Sequence, residues 1–272
     1  MVKLLLNLRL VVVAAAVVVA APTFAGPFTS NVTNDVYHTD VNGIPTANDD
    51  NDGSPDLYEA ANSLLSANYT SNSDLDSRFV ADDDIFTGNG NHTVALIGLT
   101  AGAQNTLGVY SDLGVANDRS EVLGPKSGFG FTGDGSIGNP FDAVSFNIVG
   151  DFGWSLQTEL DGSSNTYFSE SAMNVDSEGL DHTMTFNMPE LNGQSVYVDY
   201  ASGSASSYTF ANAFMIGWED LPLANGKLGD EDYDDMIYLV DFRPVSVPEP
   251  STLLLMLLGV VSLLVARRRV NA

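Results

Sequence analysis

Cysteine is absent from all 272 residues. That excludes a disulfide scaffold, a thiol nucleophile and any thiolate-held metal. Basic side chains are scarce too: ten Lys and Arg stand against 35 Asp and Glu, a formal charge of −25. A chain so poor in cations cannot displace counter-ions from phosphates, so general nucleic-acid binding is excluded. Strand–helix alternation of the kind that builds a parallel α/β sheet is missing. So is a G-x-S-x-G nucleophile signature. His38, His92 and His182 fall in no zinc-type spacing. The glycine-rich run Gly128 to Gly138 has no Lys behind it, as a phosphate loop requires, and reads as a β-connection. Hydrophobic residues still make up 44%, enough for a core.

The two ends stand apart from the rest. In residues 1–25, Lys3 and Arg9 precede an apolar run from Leu10 to Ala21, and Thr23-Phe24-Ala25 follows. This is the layout of an export signal cleaved after Ala25, and the run is short for a bilayer span of about 20 residues. Residues 247–272 open with Val247-Pro248-Glu249-Pro250-Ser251, where two prolines resist helix. Thr252 to Ala266 is almost wholly apolar and predicts a membrane helix, closed by Arg267, Arg268 and Arg269. Three cations beside an apolar segment stay cytoplasmic, which puts the preceding domain outside the inner membrane. A plain tail anchor is the simpler alternative.

The three-part order of this tail resembles the PEP-CTERM sorting signal of Gram-negative bacteria that make extracellular polymer. The resemblance implies export, inner-membrane anchorage through the C-terminal helix, and processing by an exosortase-type enzyme at Pro248, Glu249 and Pro250. Between the ends only Arg78, Arg119, Lys126, Lys227 and Arg243 are basic. All acids but Glu249 lie there, so five cations face 34 anions and the net charge is −29. Such a chain is soluble but needs counter-ions to stay compact.

Residues 26–77 are rich in Asp, Asn, Ser and Thr. They carry one helix signal: Ser54 as N-cap, Pro55 at the first position, then Leu57, Ala61, Leu64 and Leu65 on one face, ending near Asn68. Residues 78–246 have a β texture. Strands are expected at Val94 to Leu99, Ala143 to Val149, Trp154 to Glu159, His182 to Phe186, Ser195 to Tyr200, Tyr208 to Trp218 and Met236 to Phe242. Gly, Asn, Asp and Ser punctuate them, which suggests a mainly β fold of the β-sandwich or jelly-roll kind.

Two acidic constellations carry candidate chemistry. The segment NDDNDGSPDLYE fits a twelve-residue calcium loop in register, with Asn48, Asp50 and Asp52 at positions one, three and five. Gly53 takes the sharp turn, Ser54 offers its carbonyl, Asp56 stands at nine and Glu59 at twelve. Asn48 in place of Asp, and Pro55 at position eight, depart from a paired EF-hand. No helix precedes the loop, so it resembles the loop-plus-one-helix units of dockerins or the serial loops of thrombospondin type 3 repeats. A weaker copy, with Asp40 and Asn42, lies ten residues upstream. A solvated turn capping a helix would use the same residue types.

The second constellation pairs Gly217-Trp218-Glu219-Asp220-Leu221 with Gly229-Asp230-Glu231-Asp232-Tyr233-Asp234-Asp235. Asp230, Asp232 and Asp234 would share a side of an extended chain. Glu219 and Asp220, at the end of the preceding strand, can reach the same point, and carboxylates so close repel unless a cation lies between them. Asp235 stands where an EF loop needs Gly, so this is a different type of site, with Asp235 a further candidate ligand. A solvated acidic turn is the alternative. The paired blocks resemble an uncharacterised domain family of exported bacterial proteins, which implies a β-sandwich and suggests calcium. Asp181-His182 is too isolated for a catalytic triad, and Trp154 and Trp218 suit a core better than a sugar platform. The expected protein is therefore an exported, calcium-stabilised, non-enzymatic component of the cell surface or extracellular matrix. A carbohydrate-binding module for exopolysaccharide is the alternative, and a secreted hydrolase a third.

Overall fold

The computed structural model describes residues 56–65, 67–80, 85–201, 203–224, 227–229 and 231–242. The expected export signal, Asn48, Asp50, Asp52 and Ser54, Asp230, and the sorting tail with Pro248, Glu249, Pro250 and the apolar segment 252–266 lie outside them. Among the described residues no helix is long and apolar enough to cross a membrane.

Helix α1 (Leu57–Leu65) comes first, followed by a 3-10 turn at Asn72–Arg78. Strands follow in chain order as β1 (Phe86–Leu99), β2 (Gln104–Tyr110), β3 (Ser120–Lys126), β4 (Gly130–Phe131), β5 (Phe141–Leu160) and β6 (Ser163–Phe168). Next are β7 (Thr183–Asn187), β8 (Ser195–Asp199), β9 (Ser206–Thr209), β10 (Ala213–Trp218), β11 (Leu223–Ala224), β12 (Lys227–Leu228) and β13 (Met236–Asp241). The main strand path runs β3-β2-β5-β1-β13-β10-β7.

Two layers arise because β5 belongs to both. Its first part pairs with β1, from Ala95 opposite Ala143 to Phe86 opposite Phe152. From Gly153 onward it pairs with β2 on one side and, from Ser155, with β6 on the other. A Cβ at Gly153 would overlap the Tyr110 ring, so this glycine is what lets β2 close over the crossing. One layer is thus β5-β1-β13-β10-β7, and the other is β3-β2-β5-β6.

Alternation along the central strands fills both faces of the first layer. Val94, Leu96, Phe214, Ile216, Met236, Tyr238 and Val240 point toward the second layer and meet Leu107, Val109, Trp154 and Leu156. Ala95, Ile97, Met215, Ile237 and Leu239 point the other way and are covered by Leu57, Ala60, Ala61 and Leu75 from α1 and the turn after it. Trp154 and Trp218 are both fully buried, as expected. Trp154 sits edge-on to Phe86, Phe146 and Phe152, at centroid distances of 6.1, 5.3 and 5.4 Å. The β-sandwich expected from the strand texture is therefore what forms.

Several boundaries differ from expectation. The expected strands Ala143 to Val149 and Trp154 to Glu159 are one strand, β5, and β1 begins at Phe86 and not at Val94, because the ladder between β1 and β5 runs on to Phe86 opposite Phe152. The others have local reasons. The expected cap Ser54 lies outside the described residues, and helix α1 runs from Leu57, where the Asp56 carbonyl accepts from the Ala60 N–H. It stops at Leu65 because Asn62 captures both the N–H and the carbonyl of Tyr69. The expected strand Tyr208 to Trp218 divides into β9 and β10, because the Asp241 carboxylate takes the N–H groups of Ala211 and Asn212 and the Tyr208 hydroxyl.

Candidate metal centre

Strands β10 and β13 are antiparallel neighbours with Trp218 opposite Met236. Glu219 and Asp220 leave the end of β10, and Asp235 enters β13 beside them. One oxygen from each of these three side chains lies within 4.8 Å of the other two. Glu219 is fully buried, Asp220 and Asp235 nearly so.

Hydrogen-bond donors fix each carboxylate, backbone ones for Glu219 and Asp235 and a side chain for Asp220. Leu221 and Glu231 donate their N–H groups to Glu219 Oε1 and Oε2, at 3.0 and 3.1 Å. Asp220 N–H donates to Asp235 Oδ2 at 2.7 Å. The Asn105 amide, from β2 in the other layer, donates to Asp220 Oδ2 at 2.7 Å. Burial pushes the Asp235 carboxyl well above its ordinary value, and the nearby Asp220 and Glu219 charges push it further the same way. Three acids in this setting cannot all be ionised without a compensating positive charge.

Two glycines make the close approach possible. A Cβ at Gly217 would overlap the Tyr233 carbonyl oxygen and the Leu57 side chain, so α1 and the acidic turn pack against β10 at this point. At Gly229, φ is +37° and a Cβ would overlap Glu219 Oε1. These are the two glycines that head the paired acidic blocks.

Residues 231–234 are coiled and not extended. Glu231 and Tyr233 have φ of +67° and +59°, and the Asp234 N–H turns back onto Asp232 Oδ1 at 3.2 Å. Asp232 and Asp234 are therefore not on one side of an extended chain, while Asp230 lies outside the described residues. Asp232 and Asp234 are buried, but they lie outside the set of three whose oxygens converge. Of the first constellation, Asp56 is buried at the head of α1 and Glu59 lies partly exposed on it.

His182 sits behind the cluster. Its Nδ1 is 2.9 Å from the Glu219 carbonyl oxygen and its Nε2 2.8 Å from Ser177 Oγ, which fixes the ring with Nδ1 donating. Tyr167 stacks on it at 3.8 Å. Burial pushes the imidazole down to about 4. A ring enclosed in this way orients the Glu219 backbone and has no open face for a substrate proton.

Sequence reasoning missed two residues here, Asn105 and Tyr167. Both come from the second layer and are far from the acidic blocks in sequence. No sequence signal pointed to either, because the strands that carry them, β2 and β6, are set by pairing and not by an apolar run.

Two segments of the chain are similar to known families. Residues 144–243 match a family described as a domain of unknown function (DUF4114). Residues 246–269 match the PEP-CTERM protein-sorting motif. The first match contains the three converging acids and begins inside β5. It therefore leaves out β1 to β4, although β1 lies between β5 and β13 in the sheet. No curated protein matches the chain. The sorting motif marks an exported chain that an exosortase-type processing enzyme recognises.

Proposed function

For this exported chain with a PEP-CTERM sorting tail, we propose a role as a calcium-stabilised, non-enzymatic protein of the cell surface or extracellular polymer matrix. The observation that carries the reading is the convergence of Glu219, Asp220 and Asp235 where two core strands meet. The donors are all oxygen, which suits a hard divalent cation and not zinc or copper. Calcium at this point would cancel the repulsion among the three carboxylates and tie the acidic turn to the sheet. The chain's own residues prepare the place: backbone N–H groups aim the Glu219 and Asp235 carboxylates, the Asn105 amide aims that of Asp220, and Gly217 and Gly229 let them close. The EF-type loop from Asn48 to Glu59 supplies a second candidate calcium position.

A non-enzymatic role fits the enclosure of His182 and the depth of the acids, which present no cleft of free titrating groups. Calcium sites of extracellular modules have dissociation constants of about 10⁻⁴–10⁻³ M. At roughly 100 times the dissociation constant, mass action adds about 2.7 kcal/mol. For a domain of this size that is roughly 5–10 °C in melting temperature. Differential scanning calorimetry in 10 mM calcium and in EDTA should show that difference, with magnesium less effective. Equal midpoints would overturn the reading.

A carbohydrate-binding role has one observation in its favour. Phe129 and Phe131 stand on the Gly128 to Gly138 connection with 74% and 45% of their surface exposed, an unusual place for two aromatic rings. Retention on immobilised exopolysaccharide that is lost in Phe129→Ala would favour it, and equal elution of both forms would dismiss it.

A further inference from the structure

The second layer of the sandwich carries a polar side chain where its strand pattern calls for an apolar one. In β2 the inward stripe is Asn105, Leu107 and Val109, all buried. Asn105 is fully buried, and its Oδ1 has no hydrogen-bond partner. A buried carbonyl oxygen left without a donor costs about 1–3 kcal/mol. Leu or Val at this position would avoid that cost.

Where the amide lies gives the reason. Its Nδ2 is 2.7 Å from Asp220 Oδ2, and covalent geometry holds Oδ1 about 2.3 Å from Nδ2. The unsatisfied oxygen therefore lies within about 5 Å of Asp220 Oδ2. Turning the amide over exchanges Oδ1 and Nδ2 with almost no change of shape. Tyr167 of β6 lies at the same end: it stacks at 3.8 Å on His182, whose ring holds the Glu219 carbonyl, and its hydroxyl is buried with no hydrogen-bond partner. Both strands of the second layer that reach this end thus bury polar groups there.

We infer that Asn105 Oδ1 is a fourth ligand of the cation held by Glu219, Asp220 and Asp235, so that the ion joins β2 of one layer to β10 and β13 of the other. This rests on the metal reading above and deepens it. Calcium takes six to eight oxygens, often including Asn carbonyls. An amide adds an oxygen without adding a fourth negative charge to an already crowded site. Asn105 also lies outside the segment matched by the family of unknown function, so this ligand belongs to the first strands of the domain.

The test is calcium titration by calorimetry on the purified protein and on Asn105→Ala and Asn105→Leu. The uptake that disappears in Asp235→Asn identifies the site. Asn105→Leu keeps the core filled should the alanine form fail to fold. Both variants are expected to bind calcium at that site at least tenfold more weakly. Europium luminescence lifetimes in H2O and D2O should show about one extra water on the bound ion. If the amide served only as a donor to Asp220, its removal would free an oxygen, and affinity would stay level or rise with no change in hydration. That result overturns the inference and leaves the metal reading intact. No uptake by the unmutated protein overturns both.

Discussion

Asp235→Asn is expected to melt higher than the parent protein in EDTA at neutral pH, although it removes a buried charged group. Asn keeps the oxygen that accepts from the Asp220 N–H and removes one of three mutually repelling carboxylates. The gain is expected to be about 1 kcal/mol or more, which is roughly 2–4 °C. In calcium the order should reverse, because the parent gains the ion and the variant does not. The pH dependence has a definite sign. In the parent without metal, Asp235 holds its proton more tightly folded than unfolded, because burial and the Asp220 and Glu219 charges raise its pKa. That stability is present below the ordinary carboxylate range, near 4, and is lost as pH climbs through the raised value. The variant should lack this loss. A variant that melts lower than the parent in EDTA would show that repulsion does not govern the cluster.

Gly217→Ala is expected to be the most damaging single-methyl change in the sheet. The added Cβ would overlap the Tyr233 carbonyl oxygen on one side and Leu57 on the other. Neither neighbour is a free side-chain end: one is backbone, and the other is a fully buried core residue. Overpacking of this kind costs about 1–3 kcal/mol, with the upper part of that range expected here. A drop of roughly 6–12 °C should follow, with α1 losing hydrogen-exchange protection before the central strands do. Gly138→Ala is the matched control, since a Cβ there meets nothing within 4 Å, and it should change stability by less than about 0.5 kcal/mol. Equal midpoints for the two variants would mean that α1 is not held where the structure places it.

The core strands were legible from sequence because burial on both faces makes continuous apolar runs. Val94 to Leu99 and Met236 to Phe242 are of this kind. Strands β2, β3 and β6 were not legible. Their apolar residues are interrupted by Asn105, Gly124, Pro125 and the Ser163 to Asn165 run, and what makes them strands is pairing with one another and with the second part of β5. The first part of β1, from Phe86 to Thr93, was hidden in the same way by Gly88, Asn89, Gly90 and Asn91. At the metal centre, the acids could be named from their spacing. Which of them meet could not, because that depends on the positive φ angles of Glu231 and Tyr233, two residues with no intrinsic preference for that conformation. Asn105 was invisible because nothing in sequence links it to a carboxylate 115 positions away.

The place of β13 has a consequence for how the chain can be threaded through a membrane. It is the last of the described strands, yet it lies between β1 and β10. A polypeptide that emerges N-terminus first delivers both flanking strands before the one that joins them. Until residues 236–241 arrive, the two halves of the layer share no hydrogen bonds through it. Closure of this layer therefore waits for residues 236–241, which come just before the sorting motif at 246–269.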